Sequence, residues 1–228
     1  MFDFRYKSDR ALQKIMPRSL QSLYWKYRHL WNPSWPEAYM AEQNINHPHR
    51  KLVIEAVGSF TNFESVSEIG CASGPNLLRL HQIYPNKKYF GYDINSKAVN
   101  AGVRNLKNKN ITNISLKVLD TLSGVPETSD IILSDASLLY CPPQKLQSTI
   151  EKLWNAANLG LVLVEQESPD SNSHWNGAWQ HPFSSIIQRI APEATIESQK
   201  IDESCWSGNW VKFGRILIVR KHPCAKET

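Results

Sequence analysis

The chain has 228 residues, 41% hydrophobic and 21% charged, with a mean hydropathy of −0.42, the balance of a globular protein with one sizeable core. Its longest apolar run, residues 159–164, falls far short of the roughly 20 residues that cross a bilayer. Four scattered cysteines without a Cys-x-x-Cys pair exclude a zinc knuckle and a disulfide framework and read as reduced thiols. The net charge of +5 sits wholly in the head of the chain: residues 1–28 hold seven Lys or Arg against Asp3 and Asp9, and beyond them bases and acids cancel.

Leu12, Ile15, Met16, Leu20, Leu23, Tyr24, Tyr27 and Trp31 recur at three- and four-residue steps, which predicts an amphipathic helix over residues 11–31, broken or restarted at Pro17. Residues 31–39 read as an aromatic loop, and helical character returns over 42–60. The basic head is either a solvated helix face or a docking site for an anionic partner such as RNA, a lipid surface or a phosphorylated substrate. Charges run through the first ten residues, so no secretion signal is expected and a cytoplasmic location is the default.

Residues 65–95 organise the rest. Residues 66–69 predict a short buried strand, 70–74 a tight turn of small residues, 76–84 a helix with apolar Leu77, Leu78, Leu80 and Ile83, and 89–94 a second strand carrying Asp93 near its end. This is one βαβ half of a nucleotide-binding sheet. Small residues let the backbone reverse sharply and approach a ligand, and the amides at the helix N-terminus favour an anionic group. Asp93, 23 residues after Gly70, has two acceptor oxygens that suit the two hydroxyls of a ribose. A nicotinamide fingerprint would place a third Gly or Ala at the position held here by Pro75.

The run Glu68-Ile69-Gly70-Cys71-Ala72-Ser73-Gly74 instead resembles the first motif of the class I S-adenosylmethionine-dependent methyltransferases. Ala72 departs from the usual Gly and narrows the turn. The resemblance covers residues 60–221 and implies an α/β fold, a Rossmann-like, doubly wound, mostly parallel seven-stranded sheet with an antiparallel C-terminal hairpin. The expected domains are 1–60, an N-terminal helical lid, and 61–228, the methyltransferase. Tyr24, Trp25, Tyr27, Trp31 and Trp35 are candidates for the lid.

Downstream, residues 96–106 predict a helix capped by Ser96 and 114–119 a third strand closing on Asp120-Thr121. A fourth strand over 129–134 ends in Asp135-Ala136, residues 144–158 predict a helix, and 159–166 a fifth, doubly covered strand. Residues 196–201 and 210–220 supply the hairpin. By the resemblance, Glu68, Gly70, Cys71, Ala72, Gly74, Asp93, Ile94, Asp120, Thr121, Asp135 and Ala136 contact the cofactor, S-adenosylmethionine, with Asp120 meeting the adenine amino group. After the fourth strand there is no Asn-Pro-Pro-Tyr or Asp-Pro-Pro-Tyr of the base-amino methylases.

Residues 171–182, polar, aromatic and rich in histidine, suit a pocket wall between the fifth strand and the helix 183–190. The expected acceptor is a small molecule, methylated at oxygen by in-line displacement, with His181 and then His174 as base. Its expected contacts are Tyr24, Trp31, Tyr140, Glu165, Trp175 and Trp179. No metal is expected, because the seven-residue spacing of the two histidines matches no metal signature. The alternatives are an RNA methyltransferase that uses the basic head and a non-catalytic S-adenosylmethionine-binding protein. The oligomeric state stays open, a dimer included.

Overall fold

The computed structural model describes residues 20–173 and 177–221. Four short helices come first: α1 (Gln21–Tyr27), α2 (Trp35–Tyr39), α3 (Glu42–Ile45) and α4 (His49–Gly58), with a 3₁₀ turn over Arg28–Leu30. The helix expected over 42–60 is cut at His47-Pro48, because the residue before a proline is pushed out of helical geometry and proline favours a helix start. The aromatic segment expected as loop contains α2, which starts on Trp35-Pro36 for the same reason.

The sheet then builds as β1 (Ser65–Ile69), α5 (Pro75–Ile83), β2 (Lys88–Asp93), α6 (Ser96–Asn108), β3 (Ile114–Val118), β4 (Ser129–Asp135), α7 (Pro143–Ala156) and β5 (Ala157–Gln166). A two-stranded ribbon, β6 (Asn172–Ser173) and β7 (Trp179–Gln180), leads to α8 (Phe183–Ile190), β8 (Thr195–Lys200), α9 (Asn209–Phe213) and β9 (Gly214–Arg220). The strand order is β3-β2-β1-β4-β5-β9-β8, parallel from β3 to β5, with β9 antiparallel to β5 and β8 antiparallel to β9. This is the expected Rossmann-like sheet and hairpin. The chain winds outward from β1 first one way and then the other, so a crevice opens between β1 and β4 at the carboxyl ends of the strands.

Two apolar clusters cover the faces. One joins Val53, Val57 and Phe60 of the N-terminal helices to Leu77, Leu80 and the strands, so residues 40–60 share the core of the sheet. The other packs α7 and α8 through Leu146, Ile150, Phe183 and Ile187. Three local expectations are corrected. Asn95, not Ser96, caps α6, its side chain accepting from the amides of Lys97 and Ala98, both at 3.1 Å. β8 is an edge strand and mostly exposed. Residues 210–213 are helical, and the rings of Trp206 and Trp210 pack with centres 4.2 Å apart.

Candidate active site

A cavity of about 770 Å³ lies over the carboxyl ends of the central strands, within the usual size of a small-ligand site. Its floor is the turn after β1. Gly70 has φ +67°, and a Cβ there would come within 2.1 Å of Ser137 Oγ, so only glycine fits. Ala72 adopts φ +51°, a left-handed conformation costing roughly 1–2 kcal/mol for a residue with a Cβ. Its amide donates to Asp93 Oδ2 at 2.8 Å, which ties the turn to β2.

Asp93 Oδ1 accepts from the Asn95 amide at 2.8 Å. Burial pushes the Asp93 carboxyl up, and these two backbone bonds pull it back. Each oxygen retains a lone pair for a ligand hydroxyl. Asp120 Oδ1 takes the Leu122 amide at 3.0 Å, which leaves its other oxygen to the cavity.

Beside the turn stands a buried polar cluster. Asn76 donates from Nδ2 to Glu68 Oε1 at 2.7 Å and to Asp135 Oδ2 at 2.8 Å. Arg50 donates to Asn76 Oδ1 and to the Asn44 carbonyl, the latter at 2.6 Å, and lies 3.9 Å from Asp135. His49 Nε2 meets Asp135 Oδ2 at 3.0 Å, and its Nδ1 lies 2.6 Å from His47 Nδ1. Trp206 stacks on His49 with ring centres 4.3 Å apart.

Burial raises the Glu68 carboxyl to about 8 against the pull of the Asn76 bond. Burial would raise Asp135 too, but His49, Arg50 and Asn76 hold it below the usual carboxylate range. Burial, then the neighbouring His49 and Arg50, lower His47. With Asp135 ionised, His49 Nε2 carries a proton. His47 Nδ1 also accepts from the His49 backbone amide at 3.4 Å, and His47 Nε2 bonds to no protein group. Glu68 Oε2 and Asp135 Oδ1 are buried without a partner, an expensive arrangement unless a ligand meets them.

Ten of the eleven expected cofactor residues line this cavity: Glu68, Gly70, Cys71, Ala72, Asp93, Ile94, Asp120, Thr121, Asp135 and Ala136. Gly74 sits behind it as the left-handed cap of α5, against Leu116. Of the expected acceptor contacts, Tyr140 is on the wall. Tyr24 and Trp31 pack on each other, ring centres 5.5 Å apart, and stay off it. Trp179 stacks on His181 away from the cavity.

Glu165 is fully buried, its oxygens accepting from Ser134 Oγ and the amides of Ser137, Leu138 and Leu139. His181 is also fully buried, with Nε2 3.0 Å from the Cys141 carbonyl and Nδ1 3.1 Å from Ser171 Oγ. Burial drops its pKa to about 4. Both groups are structural, and His181 is corrected as a base because neither nitrogen is open to a substrate. His174 and Trp175 lie outside the described residues.

Sequence reasoning missed His47, His49, Arg50, Asn76 and Gln166. The string His47-Pro48-His49-Arg50 was a usable signal, a proline-started helix with two histidines at its head. Nothing local joins it to Asp135.

A family model described as a methyltransferase domain matches residues 62–205. The chain belongs to that family. It is a class I S-adenosylmethionine-dependent methyltransferase, and the cavity suits that cofactor: it is roomy, and its two unpartnered acceptors suit a ligand rich in positive charge. The methyltransferase superposes on magnesium protoporphyrin IX methyltransferase from Synechocystis PCC 6803 with bound cofactor at TM-score 0.68 and 16% identity, covering 90% of this chain and 97% of that one. An O-methyltransferase family protein from Burkholderia thailandensis gives 0.66 and 11%, covering 88% and 62%. The N-methyltransferase NodS from Bradyrhizobium japonicum WM9 gives 0.58 and 17%, covering 78% and 89%. No curated protein matches the chain. These identities carry the fold alone. Among the described residues no helix is long and apolar enough to cross a membrane.

Proposed function

We propose that this methyltransferase methylates a hydroxyl of a small molecule, with His47 as general base and His49 and Asp135 as the residues that position it. The observation that carries this reading is the chain of contacts Asp135 Oδ2, His49 Nε2, His49 Nδ1, His47 Nδ1, at 3.0 and 2.6 Å, on the cavity wall. The carboxylate orients the His49 ring, His49 in turn orients that of His47, and His47 Nε2, the ring nitrogen without a protein partner, is the candidate proton acceptor. An amine acceptor needs only to be neutral; a hydroxyl gains most from such a base.

S-adenosylmethionine supplies a methyl group already activated by its sulfonium, and the chain contributes alignment and exclusion of water. Asp93 holds the ribose hydroxyls and Asp120 the adenine amino group. Arg50, whose Nη2 bonds to no protein group, takes the carboxylate of the methionine end, while Glu68 and Asp135 face its ammonium. Trp25, Arg28 and Trp35 on the wall support a lid formed by the first helices. Free thiols at Cys71, Cys141 and Cys205 support a reducing, cytoplasmic setting.

A labelled methyl donor incubated with protein and cell extract, followed by mass identification of the product, tests the reading; a product methylated at nitrogen would sink it. His47→Gln is expected to lose about 10²-fold or more in turnover while binding of the demethylated cofactor stays within twofold by calorimetry. Asp93→Ala is expected to do the reverse, weakening cofactor binding by about 1.5–3 kcal/mol; wild-type affinity in that variant would remove Asp93 from the seat.

A further inference from the structure

The cavity wall holds two arginines, two histidines and no lysine beside four carboxyl groups, Glu68, Asp93, Asp120 and Asp135, of which burial keeps Glu68 protonated up to about pH 8. Neither arginine is a bare cation. Arg28 lies over the rings of Trp25 and Trp35, at 5.0 and 4.8 Å. Arg50 donates to Asn44 and Asn76 and faces Asp135. The cofactor carries a sulfonium, an ammonium and one carboxylate, so its single net positive charge is absorbed by this acidic wall. No positive surplus is left to draw an anionic acceptor out of water.

What the wall does offer is rings and two orphaned dipoles. Trp25, Trp35, Tyr39, Tyr140, Trp206 and Trp210 all line it, the surface that takes a flat ring. Trp25 and Tyr140 stand 4.7 Å apart, ring centre to ring centre, where α1 reaches the turn after β4. Gln166 ends β5, the strand beside β4. Gln166 Oε1 and Trp25 Nε1 are both buried with no protein partner, one an acceptor and the other a donor. A buried polar group without a partner costs about 1–3 kcal/mol, so each calls for a complementary group on the ligand. Neither belongs to the cofactor contacts named above.

Resting on the hydroxyl-methylating reading, we infer that the acceptor is a flat, uncharged or cationic ring compound with at least two hydroxyls. One hydroxyl loses its proton to His47 Nε2 as its oxygen takes the methyl group and the sulfonium leaves as a thioether. The second donates to Gln166 Oε1, which makes Gln166 a determinant of specificity. Phosphorylated and carboxylated acceptors are disfavoured because, among the described residues, the wall offers them no free cation.

The test is calorimetry on the full chain saturated with S-adenosylhomocysteine, with catechol, phenol, protocatechuate and adenosine monophosphate as probes. Catechol is expected to bind about tenfold tighter than phenol, the scale of one hydrogen bond to a buried group, and about tenfold tighter than either anionic probe. Gln166→Leu is expected to bring catechol and phenol within twofold of each other while S-adenosylhomocysteine binds as in the wild type. Equal or tighter binding of protocatechuate, an unchanged catechol preference in Gln166→Leu, or no catechol binding at all would each overturn the inference. The hydroxyl-methylating reading fails separately, through an N-methylated product in the extract assay.

Discussion

Two buried carboxylate–histidine clusters flank β4, and they differ in one respect. Around Glu165 and His181 every side-chain oxygen and nitrogen has a partner within the protein: three amides and a serine on the acid, a carbonyl and a serine on the histidine. Around Asp135 and His49 the count does not close, because Asp135 Oδ1 and Glu68 Oε2 are buried and unmatched. A closed cluster holds the fold; here it fastens the turn after β4 to β5. An open cluster stores unsatisfied polarity for a ligand. Burial alone does not separate them, since both contain a carboxyl raised by burial, Glu165 to about 7 and Glu68 to about 8.

The contrast breaks first at Glu165. Removing its side chain in Glu165→Ala strands three backbone amides and a hydroxyl, for an expected loss of about 3 kcal/mol or more in urea unfolding. A loss below about 1 kcal/mol would mean the cluster is not what fastens the turn.

Asp135→Asn is expected to do the opposite. Its stability should fall by less, about 1 kcal/mol, because the amide oxygen can still accept from Asn76 and His49. Turnover should fall about 10²-fold, with a shifted pH profile as His49 loses the charge of its carboxylate partner. Normal turnover at unchanged pH dependence would detach Asp135 from the chemistry.

The smallest effect is in the pH dependence of the ligand-free protein. Glu68 has a folded-state pKa near 8 against an ordinary 4.5, so the folded chain keeps a proton that the unfolded chain releases. Stability present at low pH is therefore lost as pH rises towards 8. Glu165 adds a loss of the same sign that is complete near 7. His181 works oppositely: neutral when buried, with its pKa near 4, it costs stability only as pH falls below 6.5. Between pH 7 and 8 Glu68 dominates, and its contribution amounts to about 1 kcal/mol. Glu68→Gln should flatten the fall of Tm across that interval, and an unchanged slope would place the titration elsewhere.

The turn Gly70-Cys71-Ala72-Ser73-Gly74, the apolar run entering β5 and the carboxylates at positions 93, 120 and 135 were legible because each depends on local periodicity or on a fixed place at the end of a strand. The breaks in the N-terminal helices were half legible: Pro48 marks a break, but the direction in which α4 then runs does not follow from it. His181 and Glu165 misled because their residue types suit catalysis as well as they suit a buried hydrogen-bond network. Trp210 misled because an apolar run next to a strand reads as more strand, whereas residues 209–213 form a short helix before β9 begins at Gly214.

The sequence by itself determined the βαβ unit and its turn of small residues, because those rest on interactions within about thirty residues, while the full sheet followed only from the family resemblance, its β1–β4 and β5–β9 pairings joining residues up to 65 positions apart. Tertiary structure alone decided which polar groups are left open. His49 and Asp135 are 86 positions apart in the chain, and Gln166 and Trp25, from opposite halves of it, line one cavity. Whether a buried atom has found its partner is a property of the packed molecule, because the partner is supplied by whichever distant segment the core brings alongside.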